Sequence, residues 1–353
     1  MPRSTCQFEQ ARQLPFVRRM AYWTREHFHP SQSALVQNWF SPVAQDLAWK
    51  LSAEKFDLVW GERLASLGFL RHFRNVRRVI DLDDLEDRKL EYDIRNSRHS
   101  AIRKLLMRIE MLRLRRTEHR LPSEMEVVVC SELDRKVFPM TDRVSAIPNG
   151  VELPSLVPSD PVNGPPTLIF VGSMSYGPNV DAVLYFCREV LPRIKAQAPE
   201  ARFLIVGREP SQEVRRLDDG SNVIVKVPAP HESLAGYWAQ AHVAVVPIRV
   251  GGGTRIKILE AMAHGRPVVS TSIGAEGIEV ADRNNILLAD EPAQFARLCL
   301  DLLQDLSLRS QISTSGNALV RSRYDWDRIE HIIQTDLLRT FSFNQSAPRM
   351  IGQ

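Results

Sequence analysis

The sequence predicts an α/β protein of two domains with parallel sheets, and three observations carry that prediction. The chain has 353 residues, enough for two domains at roughly 100–200 residues each. From residue 167 onward, continuous apolar runs of strand length alternate with segments of helical character. That alternation is the pattern of a parallel sheet covered on both faces. Between the two halves, IPNGVELPSLVPSDPVNGPP (147–166) is rich in Pro, Gly and Asn and reads as a linker.

Taken in order, the first half opens with helix-like material at 10–28 and 34–54. Strand candidates follow at FDLVW (56–60), RRVIDL (77–82), MEVVVC (125–130) and RVSAIP (143–148). Between the second and third of these lies a strongly basic helix. From Arg95 to Arg120 there are nine Lys or Arg residues against two acids, Glu110 and Glu118. Ile102, Leu105, Leu106, Ile109 and Leu112 recur there at helical spacing, an apolar stripe on a basic helix. The favoured expectation is a surface helix docked on its own domain with a solvated basic face; attraction to an anionic membrane surface is the second. Nucleic acid is not expected, because neither aromatics nor a binding motif interleave the charges.

The second half is more regular. Strands are predicted at TLIFVG (167–172), ARFLIVG (201–207), NVIVKV (222–227), HVAVVP (242–247), RPVVST (266–271) and NILLA (285–289). Helices are predicted at 179–197 and 232–241. The organisation expected is a Rossmann-like domain over 1–149, a second over 150–324, and a C-terminal helix in 325–353 that packs back on the first. Two such domains would form a cleft between the carboxyl ends of their sheets.

Composition excludes several classes. Hydrophobic residues make up 44% and charged residues 25%, which rules out extended disorder and collagen-like structure. No apolar run approaches the roughly 18 residues of a membrane-spanning helix. The N-terminus has no apolar core of a signal peptide. Cysteines 6, 130, 187 and 299 show neither pairing nor metal-ligand spacing; Cys130 and Cys299 read as reduced core positions of a cytoplasmic protein. The net charge of +4 is uninformative as a total.

The densest chemistry lies in VPIRVGGGTRIKILEAMAHGRPVVST, residues 246–271. It reads strand, Gly-rich turn, helix, loop, strand. Gly251, Gly252 and Gly253 let backbone approach a ligand closely, and the unpaired amides of a helix start favour phosphate. Arg255 adds a fork-shaped cation there. Neither a Walker loop nor GxGxxG fits the spacing. The alternative is a flexible turn bearing a surface Arg. Glu260, among apolar neighbours, is costly to bury unless satisfied. Two ribose hydroxyls would satisfy it; so would pairing with Lys257.

From IPNGV through LIFVGSMSYGPNVDAV, FLIVG, the 246–271 stretch and IGAEGI, the chain resembles glycosyltransferase family 4, with the GT-B fold of two Rossmann-like domains facing a cleft. The resemblance covers about residues 125–330. It implies transfer of a sugar from a nucleotide-sugar donor, with retention and without a bound metal or other cofactor. The donor would sit in the second domain and a glycan or lipid-linked acceptor in the first, in surface polysaccharide or glycolipid synthesis. By resemblance, Glu260 holds the ribose, and Gly253, Thr254, Arg255 and Ile256 hold the diphosphate. Gly172 lies close to the phosphates, Lys226 and Val227 read the base, and Asn149 and Gly150 form an inter-domain hinge.

Three departures accompany the resemblance. Gly252 stands where the family often has an acid that contacts the donor sugar. The Arg and Lys that commonly follow the first donor-domain strand are absent from GSMSYGPN, so Arg255 and Lys257 would supply the charge by another route. An opening strand with a Gly-rich loop is not found, so the first domain is expected to be incomplete or rebuilt. Where the family has a His-Asp pair, RRVIDLDDLEDR places Asp83 and Asp84, beside Asp81. One of these could orient or deprotonate an acceptor hydroxyl; an acidic helix start built from Asp84, Glu86 and Asp87 is the equal alternative. Glu62 is a further candidate. A non-catalytic sugar-nucleotide-binding homologue and a sugar-nucleotide epimerase are the other readings of the same features.

Overall fold

The computed structural model describes residues 42–337 except 97–98, 140, 156, 158–163, 230–232 and 252. The helical material expected at 10–28, the first part of 34–54, and residues 338–353 lie outside the described residues, as does Gly252.

Contacts divide the chain into two compact units: residues up to 129 with 134–144, and residues 130–133 with those from 145 onward. The first unit contains α1 (Pro42–Ser52), β1 (Leu58–Glu62), β2 (Arg77–Leu82), α2 (Glu86–Asn96), α3 (Ala101–Glu118) and β3 (Met125–Val129), and β4 (Val144–Ala146) begins in it at Val144. Its sheet runs β1-β2-β3-β4, with β1–β2 and β2–β3 parallel. Strand β1 lies two residues later than FDLVW suggests, so Glu62 closes the strand and pairs in register with Asp81.

The basic stretch is two helices rather than one. Helix α2 ends at Asn96, and Ser100 caps α3 by accepting a hydrogen bond from the Arg103 amide at 3.4 Å. The orientation of α3 corrects the docking expectation. Ile102, Leu105, Leu106, Ile109 and Leu112 are between 41% and 75% exposed. The inward face instead carries Leu114 and Glu118, both buried, and the partly buried Met107 and Met111. Polar anchoring selects this face. Glu118 accepts from the Glu86 amide at 2.8 Å, and Arg115 donates to the buried Asp87 at 2.8 Å, tying α3 to the start of α2.

The second unit contains β5 (Thr167–Val171), α4 (Gly177–Tyr185, continuing through a π-turn), β6 (Arg202–Val206), β7 (Val223–Lys226) and β8 (Val243–Val246). Then come α5 (Ile256–Ala263), β9 (Val268–Ser270), β10 (Leu287–Leu288), α6 (Pro292–Gln304), α7 (Leu306–Arg323) and α8 (Trp326–Ile332). Every predicted strand of this half is present. The sheet is parallel throughout, in the order β10-β9-β8-β5-β6-β7. All five residues of β5 and all four of β8 are buried, as continuous apolar strands covered on both faces require. Chain order therefore reverses between β5 and β8, the switch point at which doubly wound sheets bind ligands.

The end of α7 and the start of α8 join this unit through a Val151–Asp325 bridge and a bond from the Val151 amide to the Tyr324 carbonyl at 2.7 Å. The Trp326 ring lies so close to Gly150 that a Cβ there would fall 2.6 Å from it. That packing is what position 150 demands of a glycine.

Candidate functional site

The switch point brings together the end of β5, the turn after β8 and the first turns of α5. Gly172 ends β5 with its amide bonded to the Val206 carbonyl at 3.0 Å. A Cβ at 172 would lie 2.7 Å from Asn179 Nδ2 and 2.9 Å from Lys257 Nζ, so a side chain there would displace both polar groups. Gly207, at the end of β6, is more tightly constrained, since a Cβ there would sit 1.8 Å from the backbone carbonyl oxygen of Gly172. Asn179 fixes the loop between β5 and α4 by donating to the Ser173 carbonyl at 2.8 Å.

Lys257 reaches this point from α5. Its ammonium donates to Asn179 Oδ1 and lies 4.3 Å from the centre of the Phe170 ring. Desolvation, and then the Arg255 charge, push its pKa down to about 7, against the opposing pull of Glu260. A cation so placed is stabilised by an arriving anion. The sequence departure at GSMSYGPN thus has a geometric counterpart: α5 delivers positive charge to the end of β5.

The turn after β8 requires glycine on conformational grounds. Gly251 has φ +116 and Gly253 φ +78, both in the region that side chains rarely adopt. A Cβ on Gly251 would also lie 2.9 Å from Arg255 Nη2 and 3.6 Å from the Tyr176 hydroxyl. Arg255 is only 8% exposed and occupies the N-cap position of α5, where no side chain caps the first turn. Thr254 Oγ1 is buried without a hydrogen-bond partner among the described residues. Arg249, bonded to Asp181 at 2.7 Å and stacked on Tyr185 at 4.3 Å, fastens the turn to α4.

Glu260 lies one turn along α5 from Lys257. Burial raises its pKa, opposed by the Lys257 charge. No described residue donates a hydrogen bond to its carboxylate. Lys226 and Val227 sit on the same sheet edge two strands away, about 10 Å at the usual strand spacing, with the Lys226 carbonyl accepting from the Gly207 amide at 3.0 Å. Ile256 opens α5 and is exposed.

Asp83 and Asp84 belong to the first unit. Asp84 is ion-paired with Lys89 at 2.9 Å. Helix α2 begins at Glu86, so its acidic first turn consists of Glu86 and Asp87, with Asp84 just ahead of it. Asp81, beside the end of β1, has its pKa raised to about 6, by burial first and the Asp83 charge second, while a bond from the Trp60 indole works the other way. Glu62 is exposed at the same edge. Among the described residues, no group of three or more His, Cys, Asp or Glu could hold a metal ion, and no helix is long and apolar enough to cross a membrane.

Sequence reading did not single out Asn179, Gly207 or Tyr176. Gly207 had a signal, a glycine closing the second strand as Gly172 closes the first. Asn179 is an amide at a helix start, indistinguishable in sequence from a surface residue.

Residues 165–305 match the family model described as Glycosyl transferases group 1. The phosphatidyl-myo-inositol mannosyltransferase of Mycolicibacterium smegmatis is 27% identical over 203 residues, covering 55% of this chain and 50% of its own. The D-inositol 3-phosphate glycosyltransferase of Frankia alni is 29% identical over 196 residues, 50% of this chain and 48% of its own. The chain thus spans about half the length of the curated relatives it matches. Among solved structures, Anabaena HepE in complex with UDP superposes with a TM-score of 0.63 at 16% identity, over 87% of this chain and 84% of that one. The likeness shows an α/β fold with parallel sheets of the GT-B glycosyltransferase kind, in which residues 165–305 carry the glycosyl transferases group 1 match.

Proposed function

We propose that the chain is a cytoplasmic glycosyltransferase that moves a hexosyl group from a nucleotide-sugar donor to a glycan or lipid-linked acceptor, with retention at the anomeric carbon. The synthesis of a surface polysaccharide or glycolipid is the setting that fits. One observation carries the reading: the switch point of the second unit gathers an uncapped helix start, a glycine turn, two largely buried cations and a carboxylate that no donor among the described residues satisfies.

Each part has a chemical counterpart in a sugar nucleotide. Arg255, Lys257 and the first-turn amides of α5 would hold the diphosphate and stabilise the charge that grows on it as the glycosidic bond breaks. Glu260 would accept from the ribose hydroxyls. The β7 edge at Lys226 and Val227 would meet the base, with Gly172 giving the phosphates room beside β5. UDP in the HepE complex and the glycosyl transfer named for the two relatives support this assignment. On the acceptor side, Asp81, with its pKa raised to about 6, would join Asp83 and Asp84 as a group to orient or deprotonate a hydroxyl.

The test is calorimetric titration with UDP and UDP-sugars, followed by donor hydrolysis and transfer, in the wild type and Glu260→Ala. The variant is expected to lose at least about tenfold in donor affinity, the worth of roughly one charge-assisted hydrogen bond. Full affinity and turnover in Glu260→Ala would sink the ribose assignment. Binding without turnover across donors and acceptors would favour the non-catalytic homologue.

A further inference from the structure

Helix α3 carries two apolar stripes, and only one is used by the fold. Met107, Met111 and Leu114 face inward with Glu118. At 100° per residue the second stripe, Ile102, Leu105, Leu106, Ile109 and Leu112, lies on the opposite side of the helix. It spans about 15 Å at 1.5 Å per residue, all five side chains are exposed, and keeping such a patch in water is unfavourable.

The borders of the stripe identify what it fits. Arg103 lies on one side, Arg108 on the other, and Arg116 follows Leu112 by one turn. All three are exposed and form no ion pair among the described residues. The acids of the helix offer no counterweight, since Glu110 is paired with Arg113 and Glu118 is buried. A second copy of the chain on this face would set like charges against each other. An anionic bilayer meets both needs, with aliphatic side chains entering the headgroup–acyl boundary and guanidinium groups reaching lipid phosphates. The helix is already folded and anchored through Arg115–Asp87, so docking does not incur the cost of ordering a peptide.

We propose that α3 docks the first unit on an anionic lipid surface, lying in the membrane plane with Ile102, Leu105, Leu106, Ile109 and Leu112 inserted. The assignment is independent of the donor site. The intact chain is floated with phosphatidylcholine vesicles, and with the same vesicles containing phosphatidylglycerol, at low and high salt. Capture is expected only with the anionic vesicles and is expected to fall as salt rises. Leu105→Glu with Ile109→Glu should abolish it, and Arg103→Gln with Arg108→Gln should lower it roughly tenfold or more. All four positions are exposed, and circular dichroism verifies that the variants fold. Capture indifferent to phosphatidylglycerol and salt, or retained in both double variants, would overturn the proposal. So would self-association of the parent chain that Leu105→Glu with Ile109→Glu dissolves, with no vesicle capture, which assigns the stripe to a second copy.

Discussion

On the proposed donor assignment, Lys257 is the residue that would give UDP binding a pH dependence. Its ammonium faces an aromatic ring, Asn179 and the competing charge of Arg255, and its pKa is held at about 7. A diphosphate would favour the charged form and raise that pKa, so binding above neutrality takes up a proton. The sign follows: the contribution of Lys257 to UDP affinity is level below about pH 7, where Lys257 is already charged, and weakens as pH rises above the free-state pKa. The fall approaches tenfold per pH unit until the bound-state pKa is passed. Titrations in buffers of different ionisation enthalpy should reveal the proton uptake directly. Lys257→Met, which keeps the length without the charge, should bind UDP more weakly and with a flat pH profile over this range. A profile in the variant that matches the wild type would remove Lys257 from the phosphate site.

At the scale of elements, the pair α2–α3 is held by buried acids as much as by apolar contact. Glu118 lies fully buried beside the nearly buried Asp87. Desolvation first, and the charge of Asp87 second, raise the pKa of Glu118 to about 8, although the Glu86 amide favours the ionised form. The unfolded chain loses that proton near the ordinary value of 4.5. Between these limits the folded form binds more protons, so stability of the first unit falls as pH rises through the window and levels off above it. Glu118→Gln should flatten this slope in urea unfolding followed by helix signal. An unchanged slope would place the pH dependence elsewhere. The same pair explains what was legible in the sequence. The strands of the second unit were readable because β5 and β8 are buried on both faces, so every position but Thr167 is apolar. The inward face of α3 was not, because apolar residues occupy opposite sides of the helix, and the choice rests on Arg115, Asp87 and Glu118 meeting across elements. At the site, the glycine turn and Glu260 were visible as a local motif. Asn179 and Gly207 join it only through the crossover order of the sheet, which brings distant stretches of chain together.

For the whole molecule, the consequence of two units is that ligand energy is delivered unequally. The buried core running from Val151 to Tyr324 belongs to the second unit, and every residue assigned to donor binding lies in that unit. A ligand that binds only the folded form stabilises by about 2.7 kcal/mol at a hundredfold excess over its Kd. For a unit of this size, each kcal/mol moves the melting midpoint by roughly 2–4 °C. Saturating UDP should therefore raise the transition of the second unit by about 5–10 °C while the transition of the first stays in place. Differential scanning calorimetry of the intact chain checks this. The Glu260→Ala chain serves as the control, in which the shift shrinks in proportion to lost affinity. If UDP raised both transitions equally, the binding energy would be shared and the donor could not be held by the second unit alone. If it raised neither, the switch point would not be a nucleotide site.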